Sequence, residues 1–143
     1  MLQHVLVALD GSAGSHRAAE FARRLLGPHS ELTVVVAVEP PTATTLVAPF
    51  DSVAITRAHP DPQHLAAAER IIDELRAELG APRVHTRVEV GHPAETICRL
   101  ADEVGAELIV VGERGLGAAE RLLLGSVSDG VMRKASQPVT VVR

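Results

Sequence analysis

The chain has 143 residues, 46% of them hydrophobic and 22% charged, with a formal net charge of -4. That length fits one ordinary domain with a sizeable core, and no apolar run approaches the ~18 residues of a membrane span. An acidic balance without a lysine/arginine run also excludes the electrostatic footprint of a duplex nucleic-acid binder or of a protein that docks on an anionic membrane.

His4–Leu9 (HVLVAL) and Leu32–Val38 (LTVVVAV) are rich in β-branched residues and lack in/out alternation, which is how strands buried on both faces read. Both are expected as central parallel strands. Between them Ser12 or Ser15 can cap a helix that carries Ala18, Ala19, Ala22, Leu25 and Leu26 at helical spacing and ends at Gly27-Pro28. Residues 39–62 follow as a long connection with prolines at 40, 41, 49, 60 and 62 and an apolar patch, Leu46 to Phe50. Two readings of it stand side by side, a flap over the carboxyl edge of the sheet and a variable insertion.

Gln63–Leu79 places Leu65, Ala68, Ile71, Ile72, Leu75 and Leu79 on one helical face and closes with Gly80. Val84–Val90 (VHTRVEV) alternates apolar and polar residues, as expected of a strand nearer the sheet edge. Pro93 opens a helix with Ile97, Leu100, Ala101 and Val104 inward, and Gly105 ends it. Glu107–Val111 is the next strand, a glycine-rich stretch follows, Ser126–Ala135 reads as helix, and Val139–Val142 is a last strand after Pro138. An apolar strand of that kind at a sheet edge invites antiparallel pairing with its own copy across a two-fold axis.

The alternation of strands and helices predicts a doubly wound α/β fold. It has a five-stranded parallel sheet of order 3-2-1-4-5, helices on both faces and right-handed crossovers, all in a single domain spanning 1–143. In that order the first and fourth strands diverge at the switch point, where ligands bind beyond the carboxyl ends. The first strand delivers Asp10-Gly11-Ser12 there, and the fourth delivers Gly112. From Gly112 the spacing runs G-x2-G to Gly115, then nine residues to Gly125-Ser126, with Val127 and Ser128 next.

Glycines permit close backbone approach, and the N–H groups opening the Ser126 helix suit an anion that the helix dipole also favours. Phosphate is the natural guest. Ser126 and Ser128 bring hydroxyls to the same point, and Arg114 or Arg121 supplies charge if it folds inward. Each piece also has a plainer reading: Asp10 as the cap of the next helix, Gly112 and Gly115 as turn residues, Ser126 and Ser128 as caps. Convergence of all of them on one crevice favours the ligand.

Other chemistry finds less support. Phe21 and Phe50 are the only aromatics, so a bound base would be gripped by aliphatic side chains and backbone. Cys98 is the sole cysteine, which excludes an internal disulfide framework, fits a reducing compartment and points to the cytoplasm. It reads as a packing residue, not a nucleophile. The opening MLQHVLVALDGS has only a short apolar stretch with no basic segment before it, so a buried first strand is expected and not an export signal. Histidines at 4, 16, 29, 59, 64, 85 and 92 form no short metal-ligand spacing beyond a loose His59/His64 pair. His92 falls at the same sheet edge as the crevice.

No G-x4-G-K-[ST] is present, and Asp10–Gly14 lacks the G-x-G-x-x-G of a dinucleotide fold. Gly125–Gly130 misses the G-x-S-x-G spacing, and no general base is evident for attack on a γ-phosphate. The expectation is ligand binding with at most slow hydrolysis.

The combination of VALDGS near the start, VGHPAETI in the middle, G-x2-G-x9-G-S and a terminal PVTVV resembles the universal stress protein family across nearly the whole chain. The resemblance implies the adenine nucleotide alpha hydrolase-like arrangement and a homodimer joined through Val139–Val142. In the branch keeping this glycine motif it implies ATP, with Mg2+ or Mn2+. Carried over, Ala8, Asp10 and Val38 lie near the adenine, Val111 and Gly112 near the ribose, and Gly115, Gly125, Ser126, Val127 and Ser128 around the phosphates. Glu113 departs from the small polar residue common in the family and sets an anion near a triphosphate unless it points outward or joins through a divalent ion. The implied role is stress-response regulation, with an unidentified protein as a further partner. The alternatives are a nucleotide-free dimeric interaction protein of the same fold and, more weakly, a slow ATP hydrolase.

Overall fold

Branched runs build the middle of the sheet. The computed structural model describes residues 1–40, 60–79, 83–113 and 125–143. Among these, strands β1 (His4–Leu9), β2 (Glu31–Val38), β3 (Val84–Val90), β4 (Leu108–Gly112) and β5 (Val139–Val142) alternate with helices α1 (Ala13–Arg24), α2 (Pro62–Leu79), α3 (Pro93–Val104) and α4 (Ser126–Lys134). Every strand pair is parallel and the order is β3-β2-β1-β4-β5, the order the sequence predicts.

Because successive strand residues point to opposite faces, the continuous apolar runs split into two core layers. Val5, Val7 and Leu9 join Val34, Val36 and Val38 beneath α1 and α2, whereas Leu6 and Val35 join Ile109 and Val111 beneath α3 and α4. The alternating strand, β3, lies at one sheet edge as expected.

Local signals set the helix ends. Ser12, in extended conformation, caps α1 by accepting from the Ser15 amide at 3.2 Å, and the Ser15 hydroxyl donates back to Ser12 O at 2.9 Å. The chain leaves the helix at Arg24, ahead of Gly27-Pro28, with Arg23 and Arg24 suited to the dipole of the last turn. α3 starts on Pro93 and ends on Gly105, whose φ of 68° is left-handed, and the Ala106 amide returns to Ala101 O. A Cβ on Gly105 would meet nothing within 4 Å, so the backbone angle and not crowding selects glycine there.

β4 is shifted one residue from expectation, beginning at Leu108 and including Gly112; the Glu107 amide still donates to His4 O. α4 ends at Lys134, one residue early, because Ala135 is already extended. Lys134 pairs with Glu95 at 2.7 Å and Gln137 donates to Asp102 at 2.7 Å, tying α4 and the turn after it to α3. The Lys134 ammonium holds the Glu95 carboxyl below its ordinary range. At the amino edge, His4 Nε2 lies 2.7 Å from Thr33 Oγ1, and burial holds its pKa below the usual histidine value. Among the described residues no helix is long and apolar enough to cross a membrane.

Candidate functional site

With all strands parallel, their carboxyl ends share one edge. β1 and β4 are neighbours there, yet the chain leaves β1 for α1 on one face and leaves β4 for α4 on the other. Divergent crossovers leave a crevice between them.

At the end of β1, Ala8 is half-buried on the α3/α4 face and Asp10 is exposed. Gly11 adopts φ +81°, a left-handed turn that an L side chain resists. Asp10 is not the helix cap: its Oδ1 accepts from the Ser12 amide at 2.9 Å, closing a tight local turn, and Ser12 does the capping. At the end of β2, Val38 is buried on the α1/α2 face, opposite Ala8, and its carbonyl accepts from the Gly91 amide at 2.9 Å. His92 follows as an exposed residue at the start of α3, where its side chain makes no capping bond.

At the end of β4, Val111 is buried on the α3/α4 face. Gly112 has a reason to be glycine that the motif alone did not reveal. A Cβ there would sit 2.7 Å from Gly14 C, 2.8 Å from Gly14 O and 2.9 Å from Ser15 N, closer than real Cβ contacts come. The first turn of α1 therefore rests backbone to backbone on the end of β4. Glu113 donates its amide to Val142 O at 2.8 Å, accepts from the Gly125 amide at 2.8 Å, and holds its carboxylate 3.9 Å from Arg143 Nε.

α4 starts beside that dipeptide. Gly125 occupies the cap position without a side chain to cap with, and the Asp129 amide makes the first bond back, to Gly125 O at 3.0 Å. The amides of Ser126, Val127 and Ser128 are the ones a helix leaves without intrahelical acceptors. Ser126 and Val127 are exposed, whereas Ser128 is buried and its hydroxyl donates to Gly112 O at 2.6 Å, with Glu113 O at 3.3 Å.

The structure thus brings Ala8, Asp10, Val111, Gly112, Gly125, Ser126, Val127 and Ser128 to the carboxyl edge, with Val38 one strand further along it. Arg114, Gly115, Arg121 and the Leu46–Phe50 patch lie outside the described residues. Sequence reasoning passed over Gly14 and Arg143. A glycine inside a first helical turn, where it weakens the helix, was the available signal for Gly14.

Cys98 is 8% exposed with Sγ 4.0 Å from Val131 O, and burial pushes its thiol pKa up, as suits a packing residue and not a nucleophile. Among the described residues no group of three or more His, Cys, Asp or Glu is placed to hold a metal ion.

Sheet order and divergent crossovers define a doubly wound α/β protein with its crevice at the β1/β4 switch point. The model of the universal stress protein family matches residues 1–143, and the chain belongs to that family. It is 38% identical, over the full length of both chains, to the Thermus aquaticus universal stress protein in the QAH/OAS sulfhydrylase 3′ region. The universal stress protein UspA of Lactobacillus plantarum has the same fold, with a TM-score of 0.77 at 22% identity over 99% of this chain and 97% of that one. A universal stress protein crystallised in complex with cAMP is 31% identical, with a TM-score of 0.67 over 99% of this chain and 97% of its own.

Proposed function

We propose that the protein binds an adenine nucleotide, ATP with Mg2+ or Mn2+, at the β1/β4 crevice and acts in the cytoplasm as a regulator whose conformation or dimerisation follows nucleotide occupancy. One observation carries the reading: the start of α4, where Gly125 offers no capping side chain, is hydrogen-bonded through Gly125 to Glu113 at the end of β4, so helix amides that have no intrahelical acceptor lie at the switch point. The relative in complex with cAMP supports a nucleotide as the occupant.

In this reading Ala8, Asp10 and Val38 border the adenine, Val111 and Gly112 the ribose, and Gly125, Ser126, Val127 and the backbone amide of Ser128 the phosphates, with Arg114 and Gly115 supplied by the segment that follows β4. The donor set fits phosphate, since amides at a helix start favour anions. Asp10 and Glu113 add carboxylates at the same edge, Glu113 already facing Arg143. A divalent ion carried on the phosphates would offset that charge. Binding without fast turnover is expected, and a rate of about 1 s⁻¹ or more would overturn it.

A second reading, a nucleotide-free dimeric interaction protein, draws on β5, whose sequence VTVV presents a sheet edge with no charged residue. Homodimerisation through Val139–Val142 belongs to both readings.

Protein without Trp or Tyr absorbs little at 280 nm, so the test is the ultraviolet spectrum of freshly purified protein, followed by denaturation and chromatography of what is released. Adenine nucleotide near one per chain supports the first reading. A bare spectrum with no ATP uptake in the presence of Mg2+ or Mn2+ replaces it with the second.

A further inference from the structure

We infer that Ser128 is a positioning residue, whose buried hydroxyl fastens α4 to the end of β4 and thereby aims the helix amides, without itself contacting phosphate. What is being aimed rests on the nucleotide reading above; the fastening itself does not.

The hydroxyl lies 2.6 Å from Gly112 O and 3.3 Å from Glu113 O, and the residue is 3% exposed. A serine hydroxyl has one hydrogen, and here it is directed at the strand's terminal carbonyls. Its lone pairs are poor company for a phosphate oxygen.

A second bond runs parallel to the first, from the Gly125 amide to Glu113 O at 2.8 Å. The two pin both ends of the opening turn of α4 to one dipeptide, Gly112-Glu113. That dipeptide is itself immobilised. Gly112 has no room for a Cβ against Gly14 and Ser15 of α1, and the Glu113 amide is bonded to Val142 of β5. Groups that bind a ligand must be held within about 0.5 Å by supporting contacts, and the Ser128 bond supplies that support here. Two residues of the glycine-serine pattern, Gly112 and Ser128, thus serve the frame on which the amides of the exposed residues Ser126 and Val127 are presented.

The test uses the full chain as wild type, Ser128→Ala and Ser128→Thr. Exchange of the Gly125 amide is followed by NMR without nucleotide, and equilibrium binding is measured for ATP and for adenosine. In Ser128→Ala, protection of Gly125 and affinity for ATP should each fall about three- to tenfold, the range for one lost hydrogen bond, with adenosine affinity unchanged and Thr restoring both. Full protection with weakened ATP binding would make Ser128 a direct ligand and overturn the inference. Equal losses for ATP and adenosine would reduce it to general stability, and no change in any readout would also overturn it. If Ser128→Ala does not fold, Ser128→Cys, of similar size with a weak donor, is read by the same measurements. Wild type that binds neither ATP nor adenosine defeats the nucleotide reading, while the Gly125 amide still decides the fastening.

Discussion

The two edges of the sheet are built to opposite rules. β3 carries His85, Arg87 and Glu89 on one face, and these are drawn into ion pairs: His85 with Glu31 at 3.4 Å, Arg87 with Glu103 at 3.3 Å, and Glu89 with Arg99 at 3.3 Å, Arg99 also reaching Glu103 at 3.2 Å. β5 reads Val-Thr-Val-Val, each residue half-buried. Exposed strand edges are templates for further pairing, and charges along an edge discourage it. The contrast teaches that one edge is guarded while the other is left able to pair, which is the physical basis for the proposed two-fold dimer.

The largest effect should come from guarding the open edge. Two-fold pairing brings β5 alongside its own copy, so Thr140→Lys opposes like charges and should raise the dimer dissociation constant at least about 100-fold in sedimentation equilibrium. An unchanged dimer would place the interface elsewhere.

The second test probes how the β5 side is seated, since α1 meets β4 there backbone to backbone. Gly112→Ala forces a methyl against Gly14 and should cost about 1–3 kcal/mol in urea unfolding, whereas the same change at Gly105, which meets nothing, should reflect only its left-handed backbone angle, about 1 kcal/mol.

A third change opens the guarded edge. Arg87→Thr with Glu89→Thr removes one exposed pair and one whose carboxylate is half-buried, so stability should move by only about 1 kcal/mol, but association beyond the dimer should grow with concentration. Unaltered sedimentation would show that something other than charge protects β3.

The smallest effect is a pH dependence on the β3 side. His4 of β1, bonded to Thr33 and close to Glu31, His85 and Glu107, has its pKa lowered chiefly by burial. Between that lowered value and the ordinary ~6.5 the unfolded chain binds more protons, so stability declines as pH falls through this window and levels off below it. His4→Gln should flatten the fall in Tm between about pH 7 and pH 5; an identical slope would assign the dependence to other groups.

Much of this frame was legible in the residues. The runs HVLVAL and LTVVVAV marked buried strands because burial on both faces erases alternation, and VHTRVEV marked an edge because one face stays wet. Pro93 and Gly105 bounded α3 through backbone angles that are local properties. The role of Gly112 was not legible, since its crowding comes from Gly14, far away in sequence. Spacing brings Ser128 to the crevice but does not report which way its hydroxyl turns, here toward Gly112 O. Asp10 and Ser12 were both plausible caps, and only the extended geometry at Ser12 separates the cap from the turn.

A parallel sheet also dictates where fusions belong. β1 begins at the edge away from the crevice, whereas β5 ends beside it, with Arg143 next to Glu113. A tag attached ahead of Met1 is held across the molecule, by the roughly 20 Å length of β1 alone, while one attached after Arg143 crowds the carboxyl edge of the sheet. For the same reason two copies joined head to tail need a linker that runs the full height of the sheet, and a short turn would tear β5 from β4.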